Sequence, residues 1–436
     1  MIRFALTVAA FFVAALPARA VDIQEVTSPG GLTAWLVEEP SIPFMALEIR
    51  FRGGASLDAP GKRGAVNLMA ATLEEGAADL DSQGFAEAVE SLAARFQYRA
   101  WDDELAISAQ MLTENRDAAL ALLKTTIDAP RFDEAAVERV RAQVLANIRS
   151  DAQDPDTIAQ QTFDALAHGD HPYATDRDGT VESVSALTRD DLIEAHARTM
   201  ARDRVFVAAV GDITAEELGP MLDTLLGDLP ASGPPLPGPA PFLLDGGVTV
   251  VDLDVPQSVA IFGHAGIPRD DPDFFAAFVL NQILGGGNFS SRLMEEVREK
   301  RGLTYGVYSY LVAKDNADLV LGQVASANDR IAEAIEVIRG EWQRIRDEGV
   351  TDEELSDAKT YLTGAYPMRF DGNARIAGIL AGMQLSGLPI DYVETRNGKV
   401  EAVTQEDIRR VAARLIDPEA LHFVVVGKPA GLDPTN

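Results

Sequence analysis

An α+β fold made of two homologous α/β sandwich domains, each a mostly antiparallel sheet with helices packed on one face, is predicted by three observations. A proline-rich interruption falls near the middle of the chain, a sequence frame repeats across it, and strand-like runs alternate with long helical stretches. The interruption is LPASGPPLPGPAP, residues 229–241, in which six of thirteen positions are proline, so neither a helix nor a central strand can cross it. The repeat has a constant offset of 216. Thr188-Arg-Asp-Asp191-Leu192 returns as Thr404-Gln-Glu-Asp407-Ile408, Ala197-Arg198 as Ala413-Arg414, and Val210-Gly211 as Val426-Gly427. Each Thr-x-x-Asp is a capping box that starts a helix, and each helix leads into a β-rich run, RVFVAAVG or LHFVVVG.

The halves also open alike. IRFRGGASLDAP and AIFGHAGIPRDDP each predict a strand closed by glycine and proline, followed by an apolar helix, Ala65 to Leu73 in the first and Phe274 to Leu284 in the second. Glu75-Gly76 and Gly285-Gly286-Gly287 stop these helices. Further helix is expected at Glu138 to Ile148 and Glu353 to Tyr361, and FQYRAWDDELAISAQM reads as a hairpin. The expected organisation is a leader at 1–20, a first domain at 21–228, a linker at 229–241 and a second domain at 242–436.

Composition narrows the function. The chain has 436 residues, 38 Lys+Arg against 68 Asp+Glu, a formal charge of −30, and no cysteine. Disulfides, thiol nucleophiles and thiolate zinc sites are therefore excluded, and five histidines remain to supply imidazole ligands. So negative a field repels nucleic acid and anionic lipid and attracts cationic peptides. Arg3, the apolar run Phe4 to Leu16 and Ala18-Arg19-Ala20 read as a secretory signal cleaved after Ala20, which implies a periplasmic protein with no membrane span once processed.

Candidate chemistry concentrates in the second half. Gly285-Gly-Gly-Asn-Phe-Ser-Ser-Arg292 lacks the Gly-Lys-Ser/Thr ending of a phosphate loop and reads as a structural turn. A helix from about Ser290 is expected to end at Gly302, with a β-rich segment from Leu303 carrying Tyr305 back toward Arg298. By itself Glu-Glu-Val-Arg-Glu-Lys-Arg is a charge run whose ordinary meaning is a solvated helix face. His168 and His171 are three apart, but Gly169, Asp170 and Pro172 place them in a loop; His196, His264 and His422 are isolated, and no Gly-x-Ser-x-Gly elbow is present.

With these residues in view, the mature chain resembles the pitrilysin-type (M16, inverzincin) metallopeptidase family, in the branch of mitochondrial processing peptidase and the bacterial two-subunit zinc proteases. GGGNFSSRLMEEVREKRGLTYGVYS is similar to that family's second-half signature, whose Arg and Tyr, seven residues apart, bind the substrate backbone. The resemblance assigns this role to Arg298 and Tyr305. His171-Pro-Tyr173, Gly179-Thr180 and Val210-Gly-Asp212 extend the likeness through the first half. The family's His-x-x-Glu-His is different here: Gly64-Ala-Val-Asn67-Leu-Met-Ala70-Ala71 puts Asn67, Ala70 and Ala71 at the motif positions, and Ala146-Asn147 stands where the distant Glu ligand belongs. Alanine has no lone pair to give, and one amide oxygen holds no zinc.

The resemblance thus implies no metal or other cofactor in this chain. It implies a substrate-binding subunit, inactive alone, that orients peptides for a homologous zinc-binding M16 partner in a heterodimer. Two other readings share the fold: a proteolytically inactive scaffold, and a peptide-binding or chaperone-like homodimer. A self-contained peptidase with unusual ligands is a third.

Overall fold

The computed structural model describes residues 22–286 and 290–435. The signal-peptide reading, and the Gly287–Phe289 part of the glycine-rich turn, lie outside the described residues. The first half contributes β1 (Gln24–Thr27), β2 (Thr33–Glu38), β3 (Phe44–Arg52), a small ribbon of β4 (Gly76–Ala77) and β5 (Leu80–Asp81), then β6 (Arg95–Ala100), β7 (Glu104–Leu112) and β8 (Val205–Gly211). The second half contributes β9 (Gly247–Asp252), β10 (Gln257–Ala265), β11 (Val307–Ala313), β12 (Asp318–Ala327) and β13 (His422–Gly427).

The sheets share one topology. Six strands run in the order β1-β2-β8-β3-β7-β6, and five in the order β11-β12-β10-β13-β9. Among the described residues only β2 with β8 and β9 with β13 are parallel; every other neighbouring pair is antiparallel. Read from the other edge, the second order repeats the first without β1. Thr188 and Thr404 both cap their helices, Arg189–Thr199 and Gln405–Leu415, with reciprocal side-chain bonds to Asp191 and Asp407. Thr188→Ala and Thr404→Ala are each expected to cost about 1 kcal/mol, seen as similar drops in thermal unfolding temperature.

Alternation explains the first sheet. Met45, Leu47, Ile49 and Phe51 of β3 lie at 1% exposure or less on one face, where they meet helices of their own half, including Ala65–Thr72 and Glu134–Asp151. The opposite face is covered too, which periodicity within a half does not predict. Helix Asn373–Leu385 of the second half lays Ala377, Leu380 and Ala381 on Ala46, Ala208 and Val210. The small residues on both sides permit close approach.

The cover is reciprocal. Helix Pro155–His168 of the first half packs Ala159, Phe163 and Ala167 against Ile261, Leu321 and Val424 of the second sheet. A shift of 216 carries 155–168 onto 371–384, beside the observed 373–385. Each sheet therefore has its own helices on one face and a helix lent by the other half on its second face.

Residues 227–246 contain neither helix nor strand. They are nevertheless pinned: His168 Nδ1 donates to Pro241 O (2.9 Å), His171 Nε2 to Gly238 O (3.1 Å) and Arg204 Nη2 to Pro234 O (2.7 Å). His168 is the last residue of its helix, not a loop residue as its glycine and proline neighbours suggest, because the break falls one residue later at Gly169. Among the described residues no helix is long and apolar enough to cross a membrane.

Candidate functional site

Helix Ala65–Thr72 is set by its start. Gly64 takes φ 94°, and the Asp58 carboxylate accepts from Gly64 N (2.9 Å) and Val66 N (2.8 Å), capping the helix from six residues upstream. Arg63 holds the surrounding loops: Nε donates to Asp176 O (3.0 Å), and Nη2 to Thr175 O (2.8 Å) and to the Asp102 carboxylate (3.2 Å). Gly179 belongs to the same junction; at φ 83° a Cβ there would sit 2.5 Å from Arg63 O. On this helix Ala70 is buried, while Asn67 and Ala71 are half-buried. The neighbouring helix Glu134–Asp151 carries Asn147 exposed, its Oδ1 accepting from Gln143 Nε2 (3.0 Å).

The five histidines are engaged in structure. Besides His168 and His171 at the linker, His264 Nε2 accepts from Trp342 Nε1 (3.2 Å), His422 Nε2 lies 3.0 Å from Thr249 Oγ1, and the His196 ring packs edge-on to Phe132. Burial lowers the proton affinity of each. Among the described residues no group of three or more His, Asp or Glu is placed to hold a metal ion.

Arg298 lies in a π-helical turn, Met294–Glu299, continued by a Lys300 N bond to Glu295 O (2.9 Å). Its side chain is about one-third exposed, and Nη1 pairs with Glu299 Oε1 at 3.0 Å. The charge run here is more than a solvated face: Glu296 is buried and gathers Lys300 (2.8 Å), Arg301 (2.7 Å) and Arg344 (3.6 Å). Gly302, at φ 60°, ends the turn, and the chain doubles back through Gly302 N to Arg298 O (2.8 Å) and Leu303 N to Val297 O (2.9 Å).

Tyr305 follows at 87% exposure. It sits ahead of the strand, since β11 begins at Val307 and not at Leu303. The reason is Thr304, whose Oγ1 donates to Ala325 O of β12 (2.6 Å) and accepts from Gly306 N (3.1 Å), replacing ladder bonds with side-chain bonds.

Sequence reasoning missed Arg292. Its buried guanidinium grips Glu354 through two bonds (2.6 and 2.8 Å) and donates to Gly349 O (2.9 Å), fixing the Arg298-bearing turn to the start of helix Asp352–Ala365. Thr351-x-x-Glu354 is legible as a capping box, but nothing local marks a partner 62 residues away.

A cavity of about 750 Å³ lies where helix Pro155–His168 meets the second sheet. Asp102, Asp103 and Glu104, with Asp156, Asp164, Asp176 and Asp315, line it against two cations, Lys314 and Arg177. Lys314 Nζ pairs with Asp102 (2.8 Å) and lies 4.4 Å from the centre of the Tyr173 ring. The Tyr173 hydroxyl donates to Asp103 and accepts from Asn316 N (3.2 Å), so the residue that sequence likeness singled out braces this wall. Burial pushes the Asp164 carboxyl up to about 6 and raises Asp103 and Glu104 as well. Tyr310 and Val312 of edge strand β11 close the other side.

Comparison with known proteins agrees with this architecture. Residues 34–177 match the model of the insulinase family, peptidase family M16, and residues 186–362 match that of the peptidase M16 inactive domain. The chain is 26% identical over 428 residues to the non-peptidase homolog YmxG of Helicobacter pylori, covering 98% of both chains. It is 25% identical to an uncharacterized zinc protease of Streptomyces coelicolor, over 89% of this chain and 86% of that one. Among solved structures, a peptidase M16 inactive domain from Pseudomonas fluorescens superposes with a TM-score of 0.87 at 29% identity, over 95% of this chain and all of the other. The chain therefore belongs to peptidase family M16.

Proposed function

We propose that this chain is the non-catalytic, substrate-binding subunit of a periplasmic two-chain zinc peptidase, in which a homologous partner supplies His-x-x-Glu-His and the metal. The observation that carries the reading is Tyr305. A large aromatic at 87% exposure adds nothing to the core, yet it stands seven residues after Arg298, just past a turn whose backbone folds back onto that arginine. In the pair, Arg298 gives charge-assisted bonds to peptide carbonyls and Tyr305 gives a hydroxyl toward the developing oxyanion, so this subunit contributes positioning while the partner contributes the metal and water. The peptide is held as an added strand, read through its backbone. Expression of the partner alone, this chain alone and the mixture tests the reading. Peptidase activity confined to the mixture supports it, and partner activity unchanged on mixing overturns it in favour of a scaffold.

Selectivity follows from charge. Seven carboxylates around one open cavity favour peptides carrying Lys or Arg. With matched peptides of equal length, the mixture is expected to cleave the cationic one several-fold faster, less so in high salt. The preference should strengthen from pH 5 to 7, because Asp164, buried and titrating at about 6, is neutral below that value and charged above it. Equal rates for cationic and anionic peptides would remove the steering role.

A further inference from the structure

A second cleft, of about 860 Å³, adjoins the acidic one through the Ala313–Asp315 loop and the Leu385–Ser386 turn, but its chemistry is opposite. Arg269, Arg369 and Arg396 line it, and they come from three separate segments: the loop before helix Phe274–Gly285, the short helix Pro367–Arg369, and helix Tyr392–Glu401. Arg269 lies 4.5 Å from the Phe274 ring centre and donates from Nη2 to the Tyr392 hydroxyl (2.8 Å). Arg396 is buried, 4.5 Å from the Tyr366 ring, with Nη1 donating to Leu362 O (2.7 Å) and Asn397 Oδ1 (2.9 Å). Arg369 is exposed at the rim.

Among the described residues, none of these three guanidiniums has a carboxylate within ion-pair distance, in a chain with 68 acidic residues. Of the nearby carboxylates, three are engaged elsewhere, while Asp270 and Asp318 line the cleft without reaching these arginines. Asp271 and Asp273 face Arg414 and Arg410 at 2.6 and 2.7 Å, and Asp315 faces Arg52 at 3.4 Å. Desolvated positive charge without a counter-ion is costly, and aromatic faces recover only part of that cost. Each guanidinium also has five N–H donors, and the bonds above use few of them.

The remaining wall is apolar, with Phe275, Phe278, Leu311, Ile379 and Met383. Asp270 and Asp318 also line the cleft and disfavour a doubly charged guest such as phosphate. We infer that this cleft binds a carboxylate carried next to an apolar side chain on a peptide, the carboxylate seated among Arg269, Arg369 and Arg396 and the side chain on the aromatic wall. The carboxylate comes either from a free C terminus or from an acidic side chain. The inference concerns this chain alone and stands apart from the zinc partnership.

Calorimetric titration of the mature chain with three probes tests it: N-acetyl-Leu-Phe free acid, the same dipeptide as its C-terminal amide, and N-acetyl-Glu-Phe amide. The free acid is expected to bind at least about tenfold more tightly than the Leu-Phe amide, one charge-assisted bond being enough for that ratio. Arg369→Ala, at an exposed position that leaves the melting temperature unchanged, should abolish the difference. Tight binding of the Glu-Phe amide supports the site with a side-chain source, and weak binding of it supports the C-terminal source. Equal affinity for the Leu-Phe acid and amide, or a difference that survives Arg369→Ala, overturns the inference.

Discussion

Replacing Tyr305 with phenylalanine is expected to lower turnover by the reconstituted pair about a hundredfold, the usual consequence of removing one donor aimed at an oxyanion. The loss should appear in kcat more than in KM, because the ring remains to pack against substrate while the hydroxyl acts only as charge develops. Arg298→Ala should impair both constants, since a guanidinium bonded to peptide carbonyls contributes to the ground state as well. Neither change should unfold the chain. Tyr305 is 87% exposed and Arg298 about one-third exposed, so stability should stay within about 0.5 kcal/mol for Tyr305→Phe. Undiminished activity in both variants, with heterodimer formation intact, would strip the pair of the role proposed for it.

The largest structural effect is expected at Arg292, which touches no substrate in this reading. Arg292→Ala leaves Glu354 without its bidentate partner and Gly349 O without its donor, and the expected cost is about 3 kcal/mol, measured by denaturant unfolding. The same pair sets an acid limit. Burial works to raise the Glu354 carboxyl, but the Arg292 bonds, the Thr351 backbone N–H and the Arg292 charge together bring it down to about 2 from an ordinary 4.5. Between those values the unfolded chain binds the proton and the folded one does not. The pair's contribution is therefore complete above about pH 4.5 and is lost as pH falls toward 2. In Arg292→Ala that part of the acid limb should flatten; an unchanged limb would mean that the bridge contributes nothing there.

Much of the fold was legible because the duplication is written in local signals. Capping threonines, the turn from helix to strand and the Val-Gly ends at 211 and 427 each depend on residues a few positions apart, and these features appear where the 216-residue frame puts them. Long-range features were not legible. Helix 155–168 carries an apolar stripe, but its sequence does not say that the stripe lies on Val424. Arg292 and Glu354, or Lys314 and Asp102, are neighbours only after the chain has folded. At the candidate site, Arg298 and Tyr305 were found by likeness to a signature. The late start of β11 was hidden because a threonine hydroxyl can substitute for a backbone bond without altering the strand-forming character of LTYGVYS.

The exchanged helices have a consequence for ancestry and for engineering. A solitary half would present one bare apolar sheet face and one homeless helix, each the complement of what a second copy offers, so an unfused precursor would need to be a dimer clasped by mutual loan. Cutting the linker should consequently yield fragments that remain together, whereas either fragment expressed by itself should aggregate.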